Sequence, residues 1–248
     1  GALAEQLHAM DYLAYGYLQR GETAKAVAVW DELKRTPEAD WSYFSAYHSA
    51  LAIPARVTVE MRRWADAEAL PEPTYSGGTY WTQVASGITY WARTVGAARN
   101  GNPGRAREGV AHLARLQQQL EKAGQADGAD TLNILQLSAR GWIAYAEKES
   151  GDALRLLRES ADLEDRTDKH PVTPGAVLPA REQLADMLLE LNRPGEALVE
   201  YETSLKTAPN RFNSLRGAVR AATAAGRSQQ VAAYAAKLKE VAPSFDPR

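Results

Sequence analysis

Apolar residues return every three or four positions along almost the whole chain, which is the spacing of helices that bury one face. Near the start Met10, Leu13, Ala14 and Tyr17 share a face, Gly21 marks a turn, and Ala26, Trp30 and Leu33 share a second face. Trp41 to Arg62 continues the period through Pro54, and Trp64 to Leu70 is a short partner stopped by Pro71 and Pro73. Tyr80 to Arg99 has an aromatic face, the run from Asn100 to Gly104 turns the chain, and Arg105 to Ala123 has a polar outer face. Ala129 to Ser150 and Asp152 to Asp165 form a pair around Gly151. Two connections are too rich in proline, glycine or charge to be helical, at 71–78 and 166–175. With hardly any β-branched run of period two, the pattern predicts an all-α chain of about twelve helices. These pair antiparallel over approximately 3–36, 41–70, 80–123, 129–165, 175–208 and 211–242.

Between Arg181 and Pro209, the residues Leu184, Ala185, Leu188, Ala197, Tyr201, Ser204, Leu205 and Pro209 fall at offsets that repeat elsewhere. Pro243 lies 34 positions after Pro209, and Ala218, Val219, Ala222, Gly226 and Val231 between them follow the same scheme with smaller side chains. In these offsets and this period the chain resembles the tetratricopeptide repeats. The strings LHAMDYLAYGYLQRG, AIPARVTVEMRRWADAEAL and PVTPGAVLPAREQLADMLLELNRPGEALVEYE (Leu7 to Gly21, Ala52 to Leu70, Pro171 to Glu202) are similar to the C-terminal half of long bacterial proteins of that kind. The resemblance implies one domain over 1–248, a right-handed superhelical α-solenoid in which one helix of each pair lines a concave groove. It also implies a fragment of a longer chain whose N-terminal half is again helical repeats, often behind an export signal. An exported or periplasmic location follows from the resemblance alone, with the cytoplasm as the alternative. It brings no catalytic residues.

Composition supports the helical reading, because 45 of the 248 residues are alanine, the residue with the best helix propensity. A formal net charge of −2 gives no basic footprint for nucleic acid. The absence of cysteine removes disulfides, thiolate metal sites and cysteine nucleophiles. No window is apolar enough for a membrane span. The chain has no GxSxG, HExxH or glycine-rich phosphate loop, and only four histidines. No cofactor is predicted, and the reading leans away from an enzyme.

The repeat register turns particular residues toward the groove. In the first unit these are His8, Asp11 and Tyr15; His8 and Asp11 stand three apart, near enough to hydrogen-bond. With His48 they form the one candidate metal set, of the nitrogen and oxygen type. Tyr15, Tyr47 and Trp91 are candidate aromatic anchors, and Arg56 and Tyr145 are further groove candidates. At the other end Glu182 and Asp186 face the groove as solvated charges, with Arg216 and Arg220 as a possible clamp for a partner's carboxylate. His170 lies on the 166–175 connection, and His112 is expected to be exposed. The function expected is a scaffold that binds a protein or peptide segment in its groove. The alternative is a metal- or small-molecule-binding protein whose site is completed by the missing half or enclosed by the 166–175 connection. Self-association through an exposed end near Val241 and Phe245 is a third possibility.

Overall fold

A computed structural model describes residues 1–36, 40–74, 77, 79–168 and 172–245. Twelve α-helices and no strands are present among the described residues. They are α1 (Ala2–Gln19), α2 (Thr23–Arg35), α3 (Phe44–Glu60), α4 (Trp64–Glu68), α5 (Tyr80–Arg99), α6 (Pro103–Lys122), α7 (Ala126–Ala146), α8 (Ser150–Glu164), α9 (Ala180–Glu190), α10 (Pro194–Thr207), α11 (Phe212–Ala224) and α12 (Ser228–Val241).

One turn recurs in every pair. The backbone N–H just past the turn donates to the carbonyl five residues earlier: Glu22 to Tyr17, Arg63 to Thr58, Asn102 to Ala97, Glu149 to Ala144, Arg193 to Leu188 and Arg227 to Ala222. The residue before each of these donors has positive φ: Gly21, Arg62, Gly101, Lys148, Asn192 and Gly226. A left-handed residue followed by this bond is the Schellman closure, which satisfies carbonyls that a helix end leaves orphaned.

Each helix packs against the next, and the odd-numbered helices also touch one another in succession from α1 to α11. The arrangement is compatible with a helical repeat. The main core runs from Ala55 on α3 through Trp91, Leu132, Leu157 and Leu188 to Tyr201 and Ala222, and smaller clusters lie among α1, α2 and α3 and between α11 and α12. Two tryptophans are buried in the main core: Trp91 donates from Nε1 to Ser138 Oγ at 2.8 Å, and Trp142 donates to Gln183 Oε1 at 3.0 Å.

Several element boundaries differ from the sequence pattern, among them both ends of α7, at Ala126 and Ala146 rather than Ala129 and Ser150. The long helix begins at Phe44 rather than Trp41 and carries Pro54 inside it. Pro103 is the first residue of α6, where its missing N–H costs nothing. Gly151 lies in the first turn of α8 and not between helices, because Lys148 provides the left-handed turn. Residues 175–179 are not helical, and α9 starts only at Ala180.

The two ends of the array meet. Arg211, at the N-terminus of α11, reaches Glu60 at the end of α3, and the Phe212 N–H donates to Gln19 Oε1 near the end of α1. At the chain end Phe245 packs edge-on to Phe212 with ring centroids 5.0 Å apart. Phe245 therefore covers Phe212 from within the same chain.

Candidate functional site

Two adjoining layers fill the side on which α1, α3, α9 and α11 face one another. The first is a buried polar network. Arg211 donates from Nε to Glu182 Oε2 at 2.8 Å, from Nη2 to Glu182 Oε1 at 3.2 Å and from Nη1 to Glu60 Oε1 at 2.9 Å. Asn213 Nδ2 donates to the backbone oxygen and to Oε2 of Glu60, Gln19 Nε2 donates to its Oε1, and Ser214 donates to Glu182. Asp186 accepts from Arg62 Nη2 at 2.9 Å and from the Tyr201 hydroxyl at 2.5 Å. Glu60, Glu182, Asp186 and Arg211 are all buried. Such charges stay inside only when paired and hydrogen-bonded. Burial raises the Glu182 carboxyl above the usual carboxylate range, and Arg211 pulls it back.

The second layer is a non-helical strap, residues 172–179, that leads from the 166–175 connection into α9 and lies against α1 and α3. The Tyr12 hydroxyl donates to the Val172 carbonyl at 3.3 Å. Arg56 donates from Nη1 to the Ala176 carbonyl and from Nη2 to the Gly175 carbonyl, both at 3.2 Å. Its guanidinium is fully buried and lies over the Tyr15 ring, 5.3 Å from the centroid. The far end of the strap is anchored separately: Val177 and Leu178 are buried, Gln183 donates to the Leu178 carbonyl, and Glu164 accepts the Ala180 N–H at 2.7 Å. Residues 172–176, which include the end of the connection expected as a possible cover, lie against α1 and α3.

Beneath the strap lies Asp11, 1% exposed. One carboxylate oxygen is 3.5 Å from Arg56 Nε and the other 3.6 Å from His48 Nδ1. Neither oxygen has a hydrogen-bond partner. Burial raises the Asp11 carboxyl above its usual value, with Arg56 and His8 acting in the opposite direction. His8 does not hydrogen-bond Asp11; it packs edge-on to Tyr12 at 5.3 Å. Among the described residues no group of three or more His, Asp or Glu side chains is placed to hold a metal, so His8, Asp11 and His48 do not form a ligand set.

No protein-family model and no curated protein sequence matches this chain. The functional reading therefore rests on the geometry of the residues themselves.

The structure places Asp11, Tyr15, His48 and Arg56 next to one another beside the strap, with His8 close to Asp11. Two predicted anchors are packed into the fold instead. Trp91 belongs to the core, and Tyr47 is buried and bonded to Ser86 Oγ at 3.0 Å. Their side chains project between helices because the apolar face there is wider than one groove-facing stripe. Glu182 and Asp186 are buried ion-pair members rather than solvated charges, since the closing of the array covers them. Arg216 is half-buried over Phe212 and Phe245, at 5.4 and 5.2 Å, while Arg220 is exposed. Tyr145 is half-buried beside Arg99. His112 is not free in solvent: it stacks on Tyr90 at 4.4 Å, and burial lowers its pKa. His170 lies outside the described residues, as do Lys169, Pro171 and Tyr75.

Sequence reasoning missed Glu60, Arg211, Asn213 and Gln19, each of which works across a long sequence separation. The available signal was local and weak: Arg211 and Asn213 follow the Pro209-Asn210 turn, where a helix N-terminus was expected. Two cavities open between other elements. One, of about 140 Å³, is bounded by Glu68, Arg93, Arg105 and His112. The other, of about 330 Å³, lies over Ile143 and Leu156 among Arg107, Arg140 and Arg155.

Proposed function

We propose that this chain is a peptide- or protein-binding scaffold of the tetratricopeptide type, a right-handed superhelical array that holds a partner's chain segment on the inner faces of α1 and α3. One observation carries the reading: those faces already hold a non-helical stretch of polypeptide, the strap, through side-chain donors aimed at its main-chain carbonyls. Main-chain bonds supply affinity to an irregular peptide, and side-chain pockets supply selectivity. The aromatic surroundings suit the second role. His8 and Tyr12 on α1, Phe44 and His48 on α3, and Trp81 on α5 form neighbouring ring contacts, and Tyr12 is 43% exposed. Rigid aromatic side chains of this kind are common anchors at interfaces.

Selection from a displayed random-peptide library against the whole chain tests the reading. Peptides recovered from it should lose about tenfold in affinity for Tyr12→Ala, a loss typical of an interface anchor, and nothing for Arg220→Ala at the other end. A selection that returns no peptide, or peptides indifferent to Tyr12→Ala, refutes it.

A further inference from the structure

We propose that strap residues 172–176 are a built-in competitor for the peptide site, held there by Arg56, and that an incoming peptide binds by displacing them and presenting its own successive carbonyls to the same guanidinium. This inference rests on the peptide-binding reading above and adds how the site is regulated and what part of a ligand it reads. The strap divides into two halves of different character. Val177 and Leu178 are buried in the main core, and the start of α9 is bonded to Glu164, so this half belongs to the fold. The half before it lies at the surface: Val172 is 37% exposed, and the bonds from Tyr12 and Arg56 run only to carbonyl oxygens. Any peptide carries carbonyls, so these donors do not distinguish the strap from another chain. Within the outer half, one residue before Ala176, Gly175 has φ 132°. That region of backbone space belongs almost entirely to glycine, so the outer half follows its course across Arg56 only with a residue that lacks a Cβ.

The buried pair below the strap explains how Arg56 is kept ready. Its Nε faces Asp11 at 3.5 Å, Tyr15 supports the guanidinium plane, and the two terminal nitrogens point outward as a fork. A planar fork reads two adjacent carbonyls, whereas a lysine ammonium in the same place supplies charge without that geometry. Asp11 and Tyr15 are positioning residues in this scheme, and the strap carbonyls satisfy the fork until a ligand does.

The test uses the whole chain and the blocked pentapeptide Val-Thr-Pro-Gly-Ala, the sequence of residues 172–176, titrated to about 5 mM, a range that detects millimolar binding, while the backbone amide signals of α1 and α3 are followed by NMR. Gly175→Ala strains the strap without a clash, because a side chain there meets open space. The wild-type chain should show no saturable shift and Gly175→Ala a saturable one, with apparent affinity at least about tenfold higher, as expected when an intramolecular competitor is weakened. Adding Arg56→Lys to Gly175→Ala should remove that gain. If Gly175→Ala proves unstable, Pro174→Gly, which leaves Tyr12 and Arg56 intact and favours the displaced strap by raising its chain entropy, should give a smaller shift in the same direction. Equal binding by wild type and Gly175→Ala, no binding by either, or binding that survives Arg56→Lys overturns the proposal. Peptides selected from the library separate the two readings. If they bind wild type and Gly175→Ala alike, the strap is no competitor but the scaffold reading stands; if none binds either protein, the scaffold reading itself is refuted.

Discussion

Arg211 has the largest single role in joining the ends of this molecule. It is 2% exposed and is shared by Glu182 and Glu60, which come from elements far away in sequence. Replacing it with methionine leaves two carboxylates buried without their cation, and removing one partner of a buried pair costs about 3–5 kcal/mol. Urea unfolding of Arg211→Met should show a loss of that size. Glu164 makes a prediction about pH. Part of the residue stays accessible, yet its carboxyl is packed against the first turn of α9, and that burial pushes it from 4.5 up to about 7. The folded state then holds this proton more tightly than the unfolded chain does. Its contribution to stability is complete below about pH 4.5 and is lost as pH rises to about 7. Glu164→Gln should flatten the fall in stability across that window, as measured by thermal melts at stepped pH. Neither role was legible in the sequence. An arginine or glutamate on a helix reads as a surface charge until a distant element is laid over it.

At the scale of the helix pair, much more was legible. Glycine two residues past a helix end is a direct signal of the left-handed closure, and Gly21, Gly101 and Gly226 occupy that position. Arg62, Lys148 and Asn192 hold the same conformation without glycine, which is why the turn at Lys148 was misplaced to Gly151. Lys148 is exposed and outside any described hydrogen bond of its side chain. Lys148→Gly should therefore stabilise by about 0.5–1 kcal/mol, since a left-handed L-residue costs about that much more than glycine. Gly96 makes the opposite case. A Cβ there would lie 2.5 Å from the backbone nitrogen of Glu68 and 2.7 Å from the carbonyl oxygen of Trp64. Backbone cannot swing aside as a side chain can, so Gly96→Ala should push α4 off α5 and cost about 1–3 kcal/mol by chemical denaturation.

Across the whole molecule, closure changes the expected unfolding. An open array of stacked pairs frays from its ends, because each unit is supported only by its neighbours. Here Arg211, Asn213, Phe212 and Gln19 tie the last pair to the first two. Native-state hydrogen exchange should therefore show amides of α1 and α11 protected in a common opening with the central helices. Arg211→Met should split that behaviour, with α11 and α12 exchanging first. Uniform protection in the variant would show that apolar packing alone carries the cooperativity.

By itself the sequence determined that the chain is all-α, with about twelve helices. Those properties follow from local rules: a period near 3.6, alanine in abundance, and glycine and proline at the breaks. Which inward charges would meet each other was decided only in three dimensions. Periodicity turns Asp11 and Glu182 toward one side of the array but carries no information on the distance between α3 and α11. Nor does it say that a proline- and glycine-containing connection will lie across that interior rather than outside it. Both depend on how the small rotations between successive pairs accumulate, and on the gain from pairing charges once the ends come close enough to bury them.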